Sequence, residues 1–470
     1  MNSRFIGREK ELRDLNTRYI TGKFEFAVIY GRRRVGKTTL INEFIKDKEA
    51  IHFTATESGS KQNLKDLSQS IYSLSSDFSD SSASFSTFKN ALETVFKISK
   101  SRRLALVIDE YPYLADAHKA ISSVLQVLID QYKDVSKLFL ILCGSSMSFM
   151  ENQVMGYKSP LYGRRTCQYK ILPFEFSEVQ RFYSNFASED LATAYGLSGG
   201  IPLYLSLLSD LRSIEDNIKD NFLTTNAYLF EEPNNLIKQE CRNASGYNAI
   251  ITAIADGASS SSQICTKTDL DSSLTASYLK KLIGLGLVKK EIPYGMKNYK
   301  KPIYLLNDSM FRFWYRFVPE NLSYINRGLT DLAYKRIEPH ISTFMGSVFE
   351  EICKQYLWKL LSEGKSAVDF TDIGRWWGTD PATKKQVEID IMGTADKNTA
   401  LFAECKWTNE KVDLNILETL IARSRLFKYS HVHYYLFAKR GFTDGCISKA
   451  DALGNVTLVS YGDMLDVSDK

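Results

Sequence analysis

The octapeptide Gly31-Arg-Arg-Arg-Val-Gly36-Lys37-Thr38 constrains the fold of this chain more than any other feature. It fits the pattern G-x-x-x-x-G-K-[ST], and it stands between an apolar run at Phe24–Gly31, typical of a buried strand, and helical spacing at Thr38–Lys48. The glycines let backbone N–H groups wrap phosphates, and the helix N-terminus adds the positive end of its dipole. The sequence therefore predicts a loop that binds the phosphates of a nucleotide.

The surrounding pattern predicts a parallel α/β sheet, because apolar runs of strand length alternate with helical segments. The further predicted strands are Ala50–Ala55, Leu104–Asp109, Leu138–Gly144 and Gln168–Phe174, and a helix is predicted over 117–132. The serine cluster at 73–86 is predicted to be a mobile connection.

An acidic pair, Asp109 and Glu110, ends one predicted strand. After a phosphate loop, Asp109 is expected to hold the Mg²⁺ shell together with Thr38, while Lys37 reaches the β/γ-phosphates. Glu110 is then placed to orient or deprotonate the attacking water. Nothing resembles a guanine-reading Asn-Lys-x-Asp, so ATP is the expected nucleotide. Its predicted contacts are Gly31, Arg32, Arg33, Arg34, Val35, Gly36, Lys37, Thr38, Thr39 and Ser145.

Three side chains near this site leave alternatives open. Ser145, after the strand LFLILCG, suits a γ-phosphate contact or a helix N-cap equally. Arg164 and Arg165 are candidates for a charge-neutralising finger, supplied in cis or by another copy in a homo-oligomer, or for ion-paired surface sites.

Composition limits the class of protein. The chain has 470 residues, ordinary hydrophobic content of 44 % and a net charge of +5. It has no apolar run of membrane-spanning length, and its seven cysteines form no CxxC pair. We expect a multi-domain cytoplasmic protein that does not bind membranes.

Three short helices followed by a hairpin, over about 241–320, have the order of a winged helix-turn-helix. The segment Ser272–Leu285 would be the recognition helix, with Leu274, Leu279 and Leu282 on one face. The hairpin carries Lys289, Lys290, Lys297, Lys300 and Lys301 with Tyr294 and Tyr299 between them. This pattern suits a contact with the DNA backbone, but also a solvated hairpin or a protein contact. The aromatic stretch Met310–Val318 is expected to pack here and to end the module near Pro319.

The C-terminal third contains a second chemical pattern on two predicted strands. Asp390 lies in Val387–Ile391, and Glu404 and Lys406 lie two apart, hence on one face, in Phe402–Trp407. Two carboxylates that hold Mg²⁺, with an ammonium that stabilises charge, are a site for phosphodiester cleavage, and Glu350 on a predicted helix could add a ligand. The alternative is a surface ion pair.

Taken in order, FIGREKEL, GRRRVGKTTL, VIDEYPYL, LCGSS, PLYGRR and GGIPLYL resemble the archaeal-type P-loop ATPases, a prokaryotic AAA-like group. The C-terminal pattern resembles the PD-(D/E)XK nuclease superfamily, and in particular the nuclease-like domain that follows these ATPases. The resemblance implies a P-loop ATPase core at 1–174, a helical lid at 175–240, a winged helix at 241–320 and a restriction-endonuclease-like domain at 321–470.

These observations predict an ATP-hydrolysing protein with ATP and Mg²⁺ as cofactors and a Mg²⁺-dependent nuclease-like domain that acts on DNA. The alternative is a nucleotide-switched regulatory ATPase whose C-terminal domain binds a partner or DNA without cleavage.

Overall fold

A computed structural model describes residues 5–74, 83–241, 243–297 and 299–465. The chain divides into two compact units. The N-terminal unit comprises Met1–Pro173 with Ile201–Leu203, and the C-terminal unit comprises Phe174–Gly200 with Tyr204–Lys470.

The N-terminal unit is built on a parallel five-stranded sheet in the order β2-β3-β4-β1-β5. The strands β1, β3 and β4 are buried almost throughout, because helices cover both faces of the sheet. The elements in chain order are α1 (Glu9–Ile20), β1 (Glu25–Tyr30), α2 (Lys37–Ile45), β2 (Ala50–Thr54), α3 (Ser60–Tyr72), α4 (Phe88–Ile98), β3 (Leu104–Asp109), α5 (Tyr111–Ala117), α6 (Ile121–Tyr132), β4 (Leu138–Gly144), α7 (Met147–Phe149), a π-helical turn (Met150–Val154) and β5 (Cys167–Lys170).

The predicted parallel α/β sheet is confirmed, with two local differences. The helix predicted over 117–132 corresponds to α6, which begins later, at Ile121. A separate helix, α5, precedes it and begins next to Pro112, at a position where a missing N–H costs nothing. Of the serine cluster at 73–86, residues 75–82 lie outside the described residues; α3 and α4 flank it.

The first part of the C-terminal unit is helical. It contains α8 (Phe176–Phe182), α9 (Ser188–Ser198), α10 (Pro202–Leu207, which starts in the N-terminal unit), α11 (Ile214–Phe222) and α12 (Tyr228–Glu240). Three helices and an antiparallel hairpin follow: α13 (Ala244–Ala255), α14 (Ser261–Thr268), α15 (Ser272–Gly284), β6 (Val288–Glu291) and β7 (Ile303–Leu306). Leu274 on α15 is 36 % exposed, so the prediction of a shared buried face is wrong at that residue. Leu279 and Leu282 of the same face are buried, together with Thr275 and Tyr278.

The aromatic stretch Met310–Val318 lies within one longer helix. Helix α16 (Ser309–Ile325) continues through Pro319, so the boundary placed at 320 falls inside it. A proline removes one N–H donor from a helix, and the buried aromatic face of α16 compensates for it. The Trp314 indole donates to the Phe230 carbonyl of α12 (2.8 Å), and the Tyr315 hydroxyl donates to Asn248 of α13 (2.7 Å).

The second part of the C-terminal unit is a long helix and a mixed five-stranded sheet. The elements are α17 (Thr330–Ser362), β8 (Ile373–Thr379), β9 (Gln386–Thr394), β10 (Thr399–Lys406), α18 (Leu414–Ser424), β11 (His431–Ala438), α19 (Asp444–Leu453), β12 (Val456–Ser460) and a 3₁₀ turn (Tyr461–Met464). The sheet order is β12-β11-β10-β9-β8, in which β10, β11 and β12 are parallel and β8 and β9 are antiparallel. The strands β8 and β12 and the helix α19 were not predicted.

All seven cysteines are free thiols. Across the described part of the chain, no helix combines the length and the apolar character that crossing a bilayer requires.

Candidate functional sites

The loop between β1 and α2 depends on glycine at both ends. A Cβ at Gly31 would lie 2.3 Å from the Ile171 carbonyl oxygen, so no larger residue fits there without a backbone shift. Gly36 has a φ of 86° and is the residue from which α2 starts. Arg34 also has a positive φ, of 74°, which is uncommon for a residue with a side chain. The loop is thus held in the turn that aims backbone N–H groups at a phosphate.

Lys37 lies buried within this loop. Its Nζ donates to the carbonyl oxygens of Gly31 and Arg32, each at 3.0 Å. Burial lowers the pKa of Lys37, although the nearby Cys143, Glu110 and Asp109 oppose that change. A phosphate anion would offer this ammonium a stronger partner than two carbonyl dipoles do.

The acidic pair meets the loop at the carboxyl edge of the parallel sheet, where β4 lies between β3 and β1. The Thr38 hydroxyl donates to Asp109 Oδ2 (2.9 Å), and Asp109 Oδ1 accepts from the Glu110 N–H (2.9 Å). The Ser145 hydroxyl, after β4, donates to Glu110 Oε2 (2.9 Å). The contact joins Thr38 to Asp109 and brings together the hydroxyl and carboxylate oxygens that Mg²⁺ prefers, so the donor set fits a Mg²⁺-nucleotide.

Glu110 has left-handed backbone angles, with φ 50° and ψ 43°. Such a conformation costs roughly 1–3 kcal/mol for a residue with a side chain. It turns the chain sharply between β3 and α5, so that the carboxylates of Asp109 and Glu110 leave the strand end in different directions. One carboxylate meets Thr38 and the other meets Ser145.

The two finger candidates lie in the segment before β5. The guanidinium of Arg164 donates twice to the Asp130 carboxylate, at 2.6 and 2.8 Å, and also to the Pro160 and Tyr162 carbonyls. Arg165 donates to the side-chain oxygen of Gln168 (2.7 Å). Recruiting Arg164 to a phosphate would therefore break an ion pair, whereas recruiting Arg165 would break only bonds to neutral groups, this one and a longer one to the Met155 carbonyl (3.5 Å).

Sequence reasoning missed two further contacts of the loop. The buried Arg8 side chain donates to the Val35 carbonyl (3.4 Å) and to the Leu172 carbonyl, and Arg33 donates to the Tyr113 hydroxyl (2.8 Å). Arg8 lies in the segment FIGRE and Tyr113 in the segment DEYPY. Neither segment indicates a contact with the loop, because that contact forms only when the chain is folded.

The C-terminal candidates come together on neighbouring strands. The register pairs Ala403 of β10 with Ile391 of β9, so Glu404 and Asp390 are the next pair along. Asp390 Oδ2 accepts from the Cys405 N–H (2.9 Å), and Lys406 Nζ donates to Glu404 Oε1 (2.7 Å). Asp390 and Glu404 are both buried, with exposed fractions of 7 % and 6 %.

A β-bulge lies at Asp390. Gly374 of β8 pairs with Met392 of β9, and Trp376 pairs with Ile389. Between these two pairs β8 has one residue and β9 has two, so β9 contains the extra residue. Bulges of this kind re-aim side chains and are frequent beside active sites. A strand pattern read with strict alternation cannot reveal it.

Two arginines join the carboxylates, and sequence reasoning named neither as functional. Arg375 of β8 donates to both oxygens of Glu350 on α17, at 3.3 and 3.4 Å. Arg423 of α18 donates to Glu404 Oε2 (3.4 Å) and to the Glu388 carbonyl (2.8 Å). Each arginine comes from an element distant in sequence from the carboxylate that it contacts.

Burial dominates the titration of this cluster. Burial, and then repulsion from Asp390, raises the pKa of Glu404; burial also raises the pKa of Glu350, although Arg375 opposes it. Burial would lower the pKa of Lys406, but Glu404 and Asp390 outweigh it and the pKa rises. Lys406 therefore stays an ammonium at neutral pH.

Among the residues described, no three His, Cys, Asp or Glu side chains gather closely enough to form a complete metal site. Asp390 and Glu404 remain as a pair of oxygen ligands. Mg²⁺ is commonly bound through one or two carboxylates and completes its shell with water and substrate phosphate, so a pair is compatible with it. The His431-x-His433 pair plays no part here, since His433 Nε2 is bonded to the Thr457 hydroxyl (2.8 Å).

The connection between β6 and β7 packs onto the C-terminal sheet. The Tyr294 N–H donates to the Arg375 carbonyl (2.9 Å), its hydroxyl donates to the Asp372 carbonyl (3.1 Å), and that hydroxyl also contacts the Thr394 hydroxyl (2.9 Å). Lys289 is paired with Glu291 at 2.5 Å, whereas Lys290, Lys297, Lys300 and Lys301 are exposed. Tyr294 therefore anchors the hairpin.

Two family models match the chain. Residues 5–208 match the "ATPase domain predominantly from Archaea", and residues 314–417 match a family described as "Archaea bacterial proteins of unknown function". The region between these matches contains α13 to α15 and the β6–β7 hairpin.

Two relatives from Methanocaldococcus jannaschii are similar in sequence. The uncharacterized protein MJECL04 is 32 % identical over 410 residues, which cover 87 % of this chain and 88 % of that protein. The uncharacterized ATP-binding protein MJ0423 is 42 % identical over 45 residues, which cover 10 % of this chain and 76 % of that protein.

Among solved structures, the Walker-type ATPase PABY2304 of Pyrococcus abyssi is similar in fold, with a TM-score of 0.50 and 18 % identity. The match covers 66 % of this chain and 96 % of that one. The chain therefore belongs to the family of archaeal ATPases in which an ATPase domain of the predominantly archaeal kind is followed by a C-terminal domain of unknown function.

Proposed function

We propose that this protein hydrolyses ATP at the loop between β1 and α2, and that its C-terminal unit cleaves phosphodiester bonds of DNA with Mg²⁺. The first half rests on the contact between Thr38 and Asp109 and on the archaeal ATPase family. The single observation that carries the second half is that Asp390, Glu404 and Lys406 lie on adjacent strands beside a bulge.

In the ATPase site, the roles follow from the contacts. Backbone N–H groups of the loop bind the phosphates, and Lys37 exchanges its two carbonyl partners for phosphate oxygens. Thr38 and Asp109 would hold Mg²⁺. Glu110, oriented by the Ser145 hydroxyl, holds the attacking water and accepts its proton. Arg165 serves as the finger at a lower cost than Arg164.

In the C-terminal site, Asp390 and Glu404 would hold Mg²⁺, which lowers the pKa of a bound water and neutralises developing charge. Glu350 is held by Arg375 and would add a ligand only after leaving it. Lys406 remains charged and stabilises the negative charge that grows on the phosphate.

We propose further that α13 to α15 with the β6–β7 hairpin form a winged helix that contacts DNA. The exposed Ser273, Ser277 and Lys280 of α15 and the exposed hairpin lysines support a backbone contact. We place the helical lid at 175–240, and we move the end of the winged helix from 320 to about 308, before α16.

One observation favours the second candidate function, a nucleotide-switched regulatory ATPase whose C-terminal unit binds DNA or a partner without cleavage. Lys406 and Arg423 both engage Glu404, so its charge is already compensated within the protein. A structural ion-pair network would look the same.

Cleavage of single-stranded, duplex and branched DNA, with and without Mg²⁺ and ATP, separates the two functions. Wild type should cleave with Mg²⁺, Lys406→Ala should not, and the exposed Lys411→Ala should behave as wild type. Absence of cleavage on every substrate, while ATP turnover is intact, would establish the regulatory function instead.

A further inference from the structure

A cavity of about 460 Å³ opens beside the C-terminal carboxylates. The residues that line this cavity come from β7, β8, β9 and α18 and include Ile303, Arg375, Trp377, Val387, Glu388 and Arg423. Such a volume lies in the range of small-molecule sites. It accommodates one nucleotide and excludes the width of a duplex.

The wall formed by β8 presents a cation and an aromatic ring together. Arg375 and Trp377 are two residues apart, so they share one face of the strand. Trp376, on the other face, is buried against Phe427 with ring centroids 4.9 Å apart. Trp377 is only partly buried, and its sole described ring partner is Tyr299, edge-on at 6.3 Å. The Trp376 indole is therefore part of the core, whereas the Trp377 indole lines the cavity.

The two arginines connect the cavity to the proposed cleavage site. Arg375 contacts Glu350, and Arg423 contacts Glu404, while both also line the cavity. A guanidinium has five N–H donors, so each can bind a phosphate without leaving its carboxylate. A phosphate bound by both arginines would lie beside Asp390 and Glu404.

The hairpin that contributes Ile303 to the cavity is attached to the C-terminal sheet through its connection. Tyr294 fixes this connection to β8 and β9 through three hydrogen bonds to Arg375, Asp372 and Thr394. The same connection carries the exposed lysines Lys297, Lys300 and Lys301 close in sequence to Tyr299 and Ile303. A polyanion that approaches the cavity therefore meets positive charge on this side.

We propose that the cavity binds one unpaired nucleotide of a DNA strand, with the base stacked on Trp377 and its phosphate held by Arg375 and Arg423. Stacking on an aromatic ring is open to every base, because every base has a π-face, and it requires that the base be unpaired. The protein then prefers single-stranded DNA to duplex. The choice of DNA rests on the proposed function; the preference for an unpaired nucleotide rests on the cavity.

Fluorescence anisotropy of the full-length protein with labelled oligothymidine, in EDTA and without nucleotide, tests this directly. Single-stranded DNA should bind at least about 10-fold more tightly than a matched duplex. Trp377→Leu should weaken that binding about 10-fold, since stacking contributes roughly 1–3 kcal/mol per base. Trp377→Tyr, which keeps a π-face, should stay within about threefold of wild type.

Trp358→Leu is the matched control, because Trp358 is a 43 % exposed tryptophan on α17 that does not line this cavity. It should bind as wild type does. Equal binding of duplex and single strand, or an unchanged affinity of Trp377→Leu, would overturn the proposal. If Trp377→Leu unfolds at a lower temperature than wild type, two affinities still test the proposal. These are the affinity of Trp377→Tyr for single-stranded DNA relative to wild type, and the affinity of wild type for single-stranded DNA relative to duplex.

The experiment separates this proposal from the proposed cleavage, because it needs neither metal nor turnover. Trp377-dependent binding without any cleavage would leave the cavity assignment standing and remove the nuclease. Cleavage with no dependence on Trp377 would do the reverse.

Discussion

In the loop between β1 and α2, the groups suited to hold a ligand are largely backbone N–H groups, and they are contributed by one short stretch of chain. In the C-terminal site they are side chains from α17, β8, β9, β10 and α18, brought together by the sheet. The first arrangement is fixed by local turns that need glycine. The second is fixed by strand register and a bulge, hence by the packing of the whole domain.

This difference determines how each site fails. A single side chain added at Gly31 meets the Ile171 carbonyl and distorts the loop. In the C-terminal site, Glu350 and Glu404 have cationic partners and Asp390 has a backbone N–H, so removal of one member leaves a buried charge with fewer partners rather than a distorted backbone.

The largest expected effect is that of Lys37→Ala. ATP turnover should fall about 1,000-fold, because the loop loses the ammonium that contacts the transferring phosphate. Lys46→Ala removes an exposed lysine near the end of α2 and should leave turnover unchanged. Turnover within threefold of wild type in Lys37→Ala would remove the phosphate-loop assignment.

Glu110→Gln should slow hydrolysis about 100-fold while ATP binding persists, because the amide keeps the bond from Ser145 but cannot accept a proton. Equilibrium binding and single-turnover rates measured on the same samples distinguish the two effects. Glu43→Gln on α2 is the control. An equal loss of binding would make Glu110 a structural residue.

Gly31→Ala tests the backbone origin of the N-terminal site. The clash at 2.3 Å should reduce the free energy of unfolding by roughly 1–3 kcal/mol and weaken ATP binding. Gly59→Ala is the matched control, since no atom lies within 4 Å of a Cβ there. Urea unfolding of both variants gives the comparison; equal stability would mean that the loop has room to move.

The sequence predicted which side chains of the N-terminal unit come together, because the determinants are local. The motif around Lys37 and the acidic pair at Asp109 each lie next to a strand that the apolar runs predict. The contact from Thr38 to Asp109 then follows because β1 and β3 are parallel and end at the same edge of the sheet, on either side of β4.

The C-terminal site was predicted only in its carboxylates and lysine. Arg375 and Arg423 carry no motif, and the bulge at Asp390 exists only relative to β8, a strand that the pattern did not predict. Likewise, the module boundary expected near Pro319 falls inside α16, whose buried aromatic face continues past that proline. These features depend on contacts between segments distant in sequence.

The smallest expected effect concerns His433, which lies on β11 outside both sites and contacts the Thr457 hydroxyl. Burial lowers its pKa below the ordinary 6.5, so the folded state resists protonation. The neutral form of His433 therefore contributes fully to the free energy of unfolding above the pKa of histidine in the unfolded chain. This contribution is lost as the pH falls through the lower pKa of the folded state. Wild type should therefore melt about 1–2 °C lower at pH 5.5 than at pH 7.5 on account of this residue.

His433→Gln should lose that part of the pH dependence, and the exposed His431→Gln should follow wild type. Thermal melts at the two pH values are sufficient. An unchanged slope in His433→Gln would show that His433 titrates as it does in the unfolded chain.

Helix α17 joins two parts of the C-terminal unit that are chemically unrelated. Gly196 of α9 has so little room that a Cβ there would lie 3.1–3.3 Å from Met345, Val348 and Phe344, and Glu350 follows directly on the same helix. Pro339 precedes this contact, so the helix from there to Ser362 is uninterrupted. A displacement of α9 would be transmitted along this stiff helix to Glu350, which couples α9 mechanically to the C-terminal carboxylates.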